Sequence, residues 1–105
     1  MQVFTKRPRD VLDYDVDMDD WFESIPGDDI ESVVLDIVCL AEDIPTLVAG
    51  GLQHNEVVLM GANPTSFKVW LSGGTEFLDY IVNCIVTTEQ DRVKEIEFKI
   101  KVRDK

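Results

Sequence analysis

The fold is decided by the stretch Phe77-Leu78-Asp79-Tyr80-Ile81-Val82-Asn83-Cys84-Ile85-Val86-Thr87-Thr88, the polar break Glu89-Gln90-Asp91-Arg92, and the run Val93-Lys94-Glu95-Ile96-Glu97-Phe98-Lys99-Ile100-Lys101-Val102-Arg103. Leu78, Tyr80, Val82, Cys84 and Val86 share one parity; Ile81, Asn83, Ile85 and Thr87 share the other. After the break, Ile96, Phe98, Ile100 and Val102 alternate with Glu95, Glu97, Lys99 and Lys101. Successive strand side chains point to opposite faces, so a period of two puts the first set inward and the charged set in water. Two such runs joined by four or five polar residues predict a β-hairpin.

Working back, Ser66 to Leu71 (SFKVWL) alternates and stops at Ser72-Gly73-Gly74, a strand followed by a turn. Glu56 to Met60 is a short strand closed by Gly61-Ala62-Asn63-Pro64. Ala41 to Gly51 is a polar connection with a short apolar stretch at Leu47-Val48. Ile30 to Leu40 is rich in β-branched residues and predicts a largely buried strand, with Val33, Leu35, Ile37 and Cys39 as its core set. Val11 to Trp21 sets Leu12, Tyr14, Val16 and Met18 against Asp13, Asp15, Asp17 and Asp19, again a strand with one apolar and one carboxylate face. No amphipathic helix is persuasive. Short strands with turn signals every 8–12 residues predict an all-β fold, an immunoglobulin-like β-sandwich of about seven antiparallel strands. Residues 1–9 form an N-terminal arm or edge strand, and residues 10–105 a single sandwich domain.

Composition fits one core. A chain of 105 residues buries roughly 65% of its unfolded surface, enough without metals or staples. Twenty-one acidic against ten basic residues give a net charge of −11, which opposes binding to nucleic acid or to an anionic membrane. It suits a partner with basic patches. With no long apolar run and no charged-then-apolar leader, neither a membrane span nor a signal peptide is expected, and the chain reads as made in a cytoplasm. Cys39 and Cys84 read as buried free thiols; an immunoglobulin arrangement would place them on opposite sheets, where a bond is possible.

Candidate chemistry is sparse. The ladder Asp13-Asp15-Asp17-Asp19-Asp20 fits no calcium loop: counted from Asp13, the required Gly and Glu positions hold Met18 and Ser24. It reads as a solvated strand face. His54 is the sole histidine and reads as a loop residue, and one His with two scattered Cys cannot build a zinc site. Ser72-Gly73-Gly74-Thr75 lacks the spacing and following helix of a phosphate loop. No catalytic, cofactor or metal residue is assigned, and the chain is expected not to be an enzyme. Tyr80 reads either as a tyrosine corner or as a core aromatic with a wet hydroxyl. Trp21, Phe22 and Trp70 are candidate contact anchors or core; Trp70 has the opposite parity to Phe67, Val69 and Leu71.

Three stretches carry a resemblance. They are Lys6-Arg7-Pro8-Arg9-Asp10-Val11-Leu12-Asp13-Tyr14-Asp15-Val16-Asp17 continuing to Asp20-Trp21, then Val69-Trp70-Leu71-Ser72-Gly73-Gly74-Thr75, and last the Tyr80-led hairpin through Thr87-Thr88 and Arg92 to Ile96–Val102. Together they resemble the short virion proteins of tailed bacteriophages described as fibre-tail adaptors. Asp91-Arg92 stands where those proteins have Gly-Arg, and residues 40–56 follow no pattern of theirs. The resemblance implies a virion structural protein, made in the host cytoplasm, that attaches or positions tail fibres by docking to other tail or fibre proteins, in several copies set by tail symmetry. Trp21, Trp70, Gly73 and Gly74 are the residues expected in or beside the contact surface. A capsid decoration protein and a carbohydrate- or receptor-binding sandwich are the alternatives.

Overall fold

Alternation along residues 77–103 is realised as the longest strand pair of the computed structural model, which describes residues 2–51 and 55–104. In chain order the elements are β1 (Gln2–Lys6), β2 (Leu12–Asp17), α1 (Asp19–Glu23), β3 (Ile30–Val38), β4 (Leu47–Ala49), β5 (Val57–Leu59), β6 (Ser66–Gly73), β7 (Asp79–Thr88) and β8 (Val93–Val102). The chain is mostly β, in two sheets. One has the order β1-β8-β7-β3; in the other, β6 pairs with β2 on one side and with β4 and β5 on the other.

Both sheets feed one core. Tyr80, Val82, Cys84, Val86, Phe98, Ile100 and Val102 from the first meet Tyr14, Leu47, Phe67, Val69 and Leu71 from the second. Each large apolar side chain buried there stabilises the fold by about 1.5–3 kcal/mol relative to exposure. The inward parity read for β6, β7 and β8 holds, except that Ile96 is half-buried near the start of β8.

Four expectations need correction. The described residues form eight strands, and β1 runs parallel, not antiparallel, to β8 (Gln2 opposite Phe98, Lys6 opposite Val102). The next strand, β2, lies in the other sheet, so no hairpin imposes an antiparallel sense on β1. The strand from Val11 ends at Asp17, and α1 follows. The Asp17 carboxylate accepts the N–H of Asp19 at 2.8 Å, a local bond that competes with the ladder, and Phe22 N–H then donates to Met18 O at 3.0 Å. Asp19 and Asp20 therefore sit on the helix and not on the strand face.

β3 is half-buried, because it is an edge strand. Val33, Leu35 and Ile37 face inward opposite Val86, Cys84 and Val82, while Val34 and Val38 face water at 61% and 41% exposure. A register irregularity between Ile30 and Ser32 reverses the parity, which is why Ile30 is buried too. Finally, Cys39 and Cys84 belong to the same side of the molecule: Cys84 is on β7, and Cys39 follows the adjacent β3. Both thiols are free and buried, and burial pushes that of Cys84 up to about 12.

Candidate functional site

Trp70 projects from the outer face of the second sheet, as its parity requires, opposite Asp13 on β2. It is half-buried. Its backbone is held where β4 gives way to β5: Gly50 N–H donates to Trp70 O at 2.8 Å, and Trp70 N–H donates to Glu56 O at 3.0 Å. The outer face beside it carries Lys68, whose ammonium donates to Asp15 at 2.8 Å and to Asp13 at 3.1 Å. Those two bonds, Asp15 first, raise the lysine pKa. Part of the acidic ladder is thus compensated by one cation, in an exposed arrangement that contributes little stability. Among the described residues no group of three or more His, Cys, Asp or Glu is gathered so as to hold a metal ion. His54 lies outside the described residues.

Gly73 and Gly74 have a demanding local role. Both are at positive φ, +76° and +99°, and a Cβ on Gly73 would lie 2.5 Å from Thr46 O. The turn is fastened from a second side by Lys6. That lysine is buried at 1% exposure, and its ammonium donates to Gly73 O at 2.6 Å, to Arg7 O at 2.7 Å and to Pro8 O at 3.4 Å. Burial lowers its pKa, opposed by the charge of Asp10. Carbonyl oxygens supply the compensation that a buried cation requires. Sequence reading did not single out Lys6 as an anchor, because a lysine in a polar N-terminal arm or edge strand reads as solvated.

A second cluster tethers the loop after β3. Glu42 accepts from Tyr80 Oη at 2.6 Å, from Thr75 Oγ1 at 2.7 Å and from Thr46 N–H at 3.1 Å. Bonds from Tyr80 and then Thr75 hold its pKa at about 2, against an opposing contribution from burial. Tyr80 Oη also accepts Thr75 N–H at 2.9 Å, so the hydroxyl bonds to backbone five residues upstream. At the other end of β7, buried Asp28 accepts from Arg92 Nη1 at 2.8 Å and from the N–H groups of Gln90 and Asp29. Burial alone would raise its pKa; hydrogen bonds from Thr88, Arg92 and those backbone groups lower it.

Trp21 lies elsewhere. It sits half-buried on α1, packed edge-on against Phe22 with ring centroids 4.9 Å apart, and Lys94 Nζ lies 5.8 Å from its ring centre. Asp17, just before α1, pairs with Ser66 at the start of β6, whereas Gly73 ends that strand. At about 3.3 Å per residue the two places are some 23 Å apart. The structure therefore places Trp70 and Gly73 on β6 with Gly74 just after it, and Trp21 beyond the other end of that strand.

No curated protein matches the chain. Residues 6–101 match the family model described as podophage GP4 fiber-tail adaptor protein gp77, a span running from the end of β1 nearly to the end of β8, and the chain belongs to that family.

Proposed function

We propose that the chain is a non-enzymatic structural component of the phage virion that attaches or positions tail fibres by rigid protein–protein docking. The observation that carries the reading is the family match over residues 6–101, which takes in both sheets. Its partners are other tail or fibre proteins, and it assembles in several copies that follow the symmetry of the tail. Nucleic acid is not among them, since a net charge of −11 repels phosphates.

The fold serves as an immunoglobulin-like sandwich in this reading. Strands β3, β7 and β8 take the places of the C, F and G strands, and β2, β6 and β4 those of B, E and D. The bond between Tyr80 Oη and the backbone of Thr75 supports the same assignment, as a tyrosine corner near the start of the penultimate strand. Trp70 and the Gly73-Gly74 turn form the docking surface along β6, and Trp21 a separate contact point.

The test is binding of the purified chain to the purified tail and fibre proteins of the parent phage, by calorimetry. Saturable binding to one of them supports the adaptor role; binding to none of them, with binding to the capsid protein instead, overturns it.

A further inference from the structure

Between Asp10 and Phe67 the chain contains no Lys or Arg. Within that span β3 forms an outer edge of the first sheet, with no strand beyond it among the described residues. Native sheets blunt such edges with short strands, charges, prolines or bulges. The other edges here follow that rule. β4 and β5 have three residues each, β2 alternates Asp13, Asp15 and Asp17, and β1 has five residues and runs into Lys6-Arg7-Pro8. β3 has nine residues, and past the irregularity between Ile30 and Ser32 its pairing with β7 is regular to Val38.

Both faces of this edge are apolar and incompletely covered. Inward, Val33, Leu35 and Ile37 stay half-buried, although their β7 partners Val86, Cys84 and Val82 are fully buried. Those partners have a strand on each side and β3 has one. Outward, Val34 and Val38 are 61% and 41% exposed, with exposed Asp36 between them. A groove of about 520 Å³ opens at the Val38 end, lined by Leu40, Phe77, Ile81 and Lys99 among others. Leu40 is fully exposed there, and Phe77 holds its ring in water at a positive φ of 72°, a conformation that costs free energy.

The charge along the edge is negative. Glu31 and Asp36 on β3 and Asp43 in the loop after it are exposed, and neither these segments nor the neighbouring β4 carries a cation. Lys99 faces the same surface from β8. In the rows of Val34, Asp36 and Val38, however, β8 presents Glu95, Glu97 and Lys99, a net negative set. At about 4.8 Å per strand, the Lys99 backbone would stand some 14 Å from a strand added beyond β3, farther than the Debye length of about 8–10 Å. Of the other cations near the start of β8, Arg92 is bound by Asp28 at 2.8 Å and Lys94 lies over Trp21.

We propose that β3 accepts an extended segment of a tail or fibre protein as an added strand, and that this segment carries a Lys or Arg with an apolar residue two positions away on either side. The alternation of β3 sets the pattern. The cation lies opposite Asp36, and the two apolar residues lie opposite Val34 and Val38, the second reaching the groove at Leu40 and Phe77. Intervening residues cover Leu35 and Ile37. Main-chain hydrogen bonds along the edge supply affinity, and alternate side chains supply specificity. No open edge of this chain has that pattern among the described residues. β2 and β3 carry acids at their outward positions, β4 and β5 carry no cation, and Lys6 of β1 is buried. The surface is separate from β6, and the inference rests on the adaptor reading for the source of the segment.

The experiment is amide hydrogen exchange with mass spectrometry on the full chain, alone and with each purified tail and fibre protein of the parent phage. In the complex, residues 32–38 are expected to exchange at least about tenfold more slowly, together with a partner segment of the stated pattern. Asp36→Lys, at an exposed position, is expected to weaken binding at least about tenfold, since it sets like charges opposite one another. Should that variant not fold, Asp36→Asn with Glu31→Gln replaces it. A complex that leaves exchange in β3 unchanged, or that protects a partner segment without the cation, overturns this proposal and leaves the adaptor reading standing. Binding to none of these proteins overturns both. Protection of residues 32–38 in the chain alone as its concentration rises would put a second copy on the edge, and also overturns the proposal.

Discussion

Two tyrosines in the same core give opposite expectations for the removal of the same atom. Tyr80 Oη donates to the Glu42 carboxylate at 2.6 Å and accepts Thr75 N–H at 2.9 Å. Tyr14 Oη is buried with no hydrogen-bond partner among the described residues, and burial pushes its pKa up to about 12. A hydrogen bond to a charged group contributes about 1.5–3 kcal/mol, and a neutral one about 1 kcal/mol. In Tyr80→Phe, Glu42 keeps its bonds from Thr75 and Thr46, and Thr75 is exposed enough to bond water, so the net loss is about 2 kcal/mol. In Tyr14→Phe the ring keeps its contacts with Phe4 and Phe98, at 4.9 and 6.1 Å between centroids, and only an unpaired buried hydroxyl is lost. That variant is expected to be neutral or more stable by about 1 kcal/mol. For a domain of this size each kcal/mol moves Tm by about 4–8 °C, so the two melting points should differ by about 10 °C or more. Urea unfolding followed by tryptophan fluorescence measures both free energies. Equal stabilities for the two variants would refute the reasoning, since it assigns the whole difference to hydrogen bonding.

Three further outcomes follow from the same contacts. Gly73→Ala and Gly61→Ala both place a side chain at positive φ, but a Cβ on Gly73 meets Thr46 O while one on Gly61 meets nothing within 4 Å. Gly73→Ala should cost about 2–3 kcal/mol and Gly61→Ala about 1 kcal/mol, by the same unfolding assay; equal costs would mean that the close approach to Thr46 is absent. Glu42 has a folded pKa of about 2 against an ordinary 4.5, so its contribution is fully present above pH 4.5 and is lost as pH falls toward 2. The stability gap between the unaltered chain and Glu42→Gln should accordingly be flat above pH 4.5 and shrink below it; a gap that widens with acid contradicts the assignment. Trp70→Ala is expected to weaken partner binding while leaving a folded domain, because the ring is only half-buried on the outer face. If circular dichroism shows that variant unfolded, Trp70 belongs to the core.

Much of the fold was legible because period-two alternation is a direct image of a sheet with one dry face. Tyr80 to Val86 and Phe98 to Val102 carry that pattern without interruption, and they form the centre of the first sheet. Legibility failed where a local bond or a neighbouring strand decided the outcome. Asp17 kept its alternation, yet its carboxylate captured a backbone N–H and the chain turned into α1, moving Trp21 off the strand face. β3 is apolar enough to read as buried, but whether a strand has one neighbour or two is a property of the whole sheet. The anchoring of the Gly73-Gly74 turn by Lys6 joins residues 67 positions apart and has no signature in either segment. For the proposed docking surface, parity revealed that Trp70 points outward, and nothing in the sequence revealed that Trp21 lies beyond the other end of β6.

The central claim is that the chain sits where fibres join the tail. Immunogold electron microscopy of purified parent virions, with an antibody against this chain, tests it most directly. Label concentrated at the junction of tail and fibres is the expected result; label over the head, or none on intact and partly disrupted particles, contradicts it.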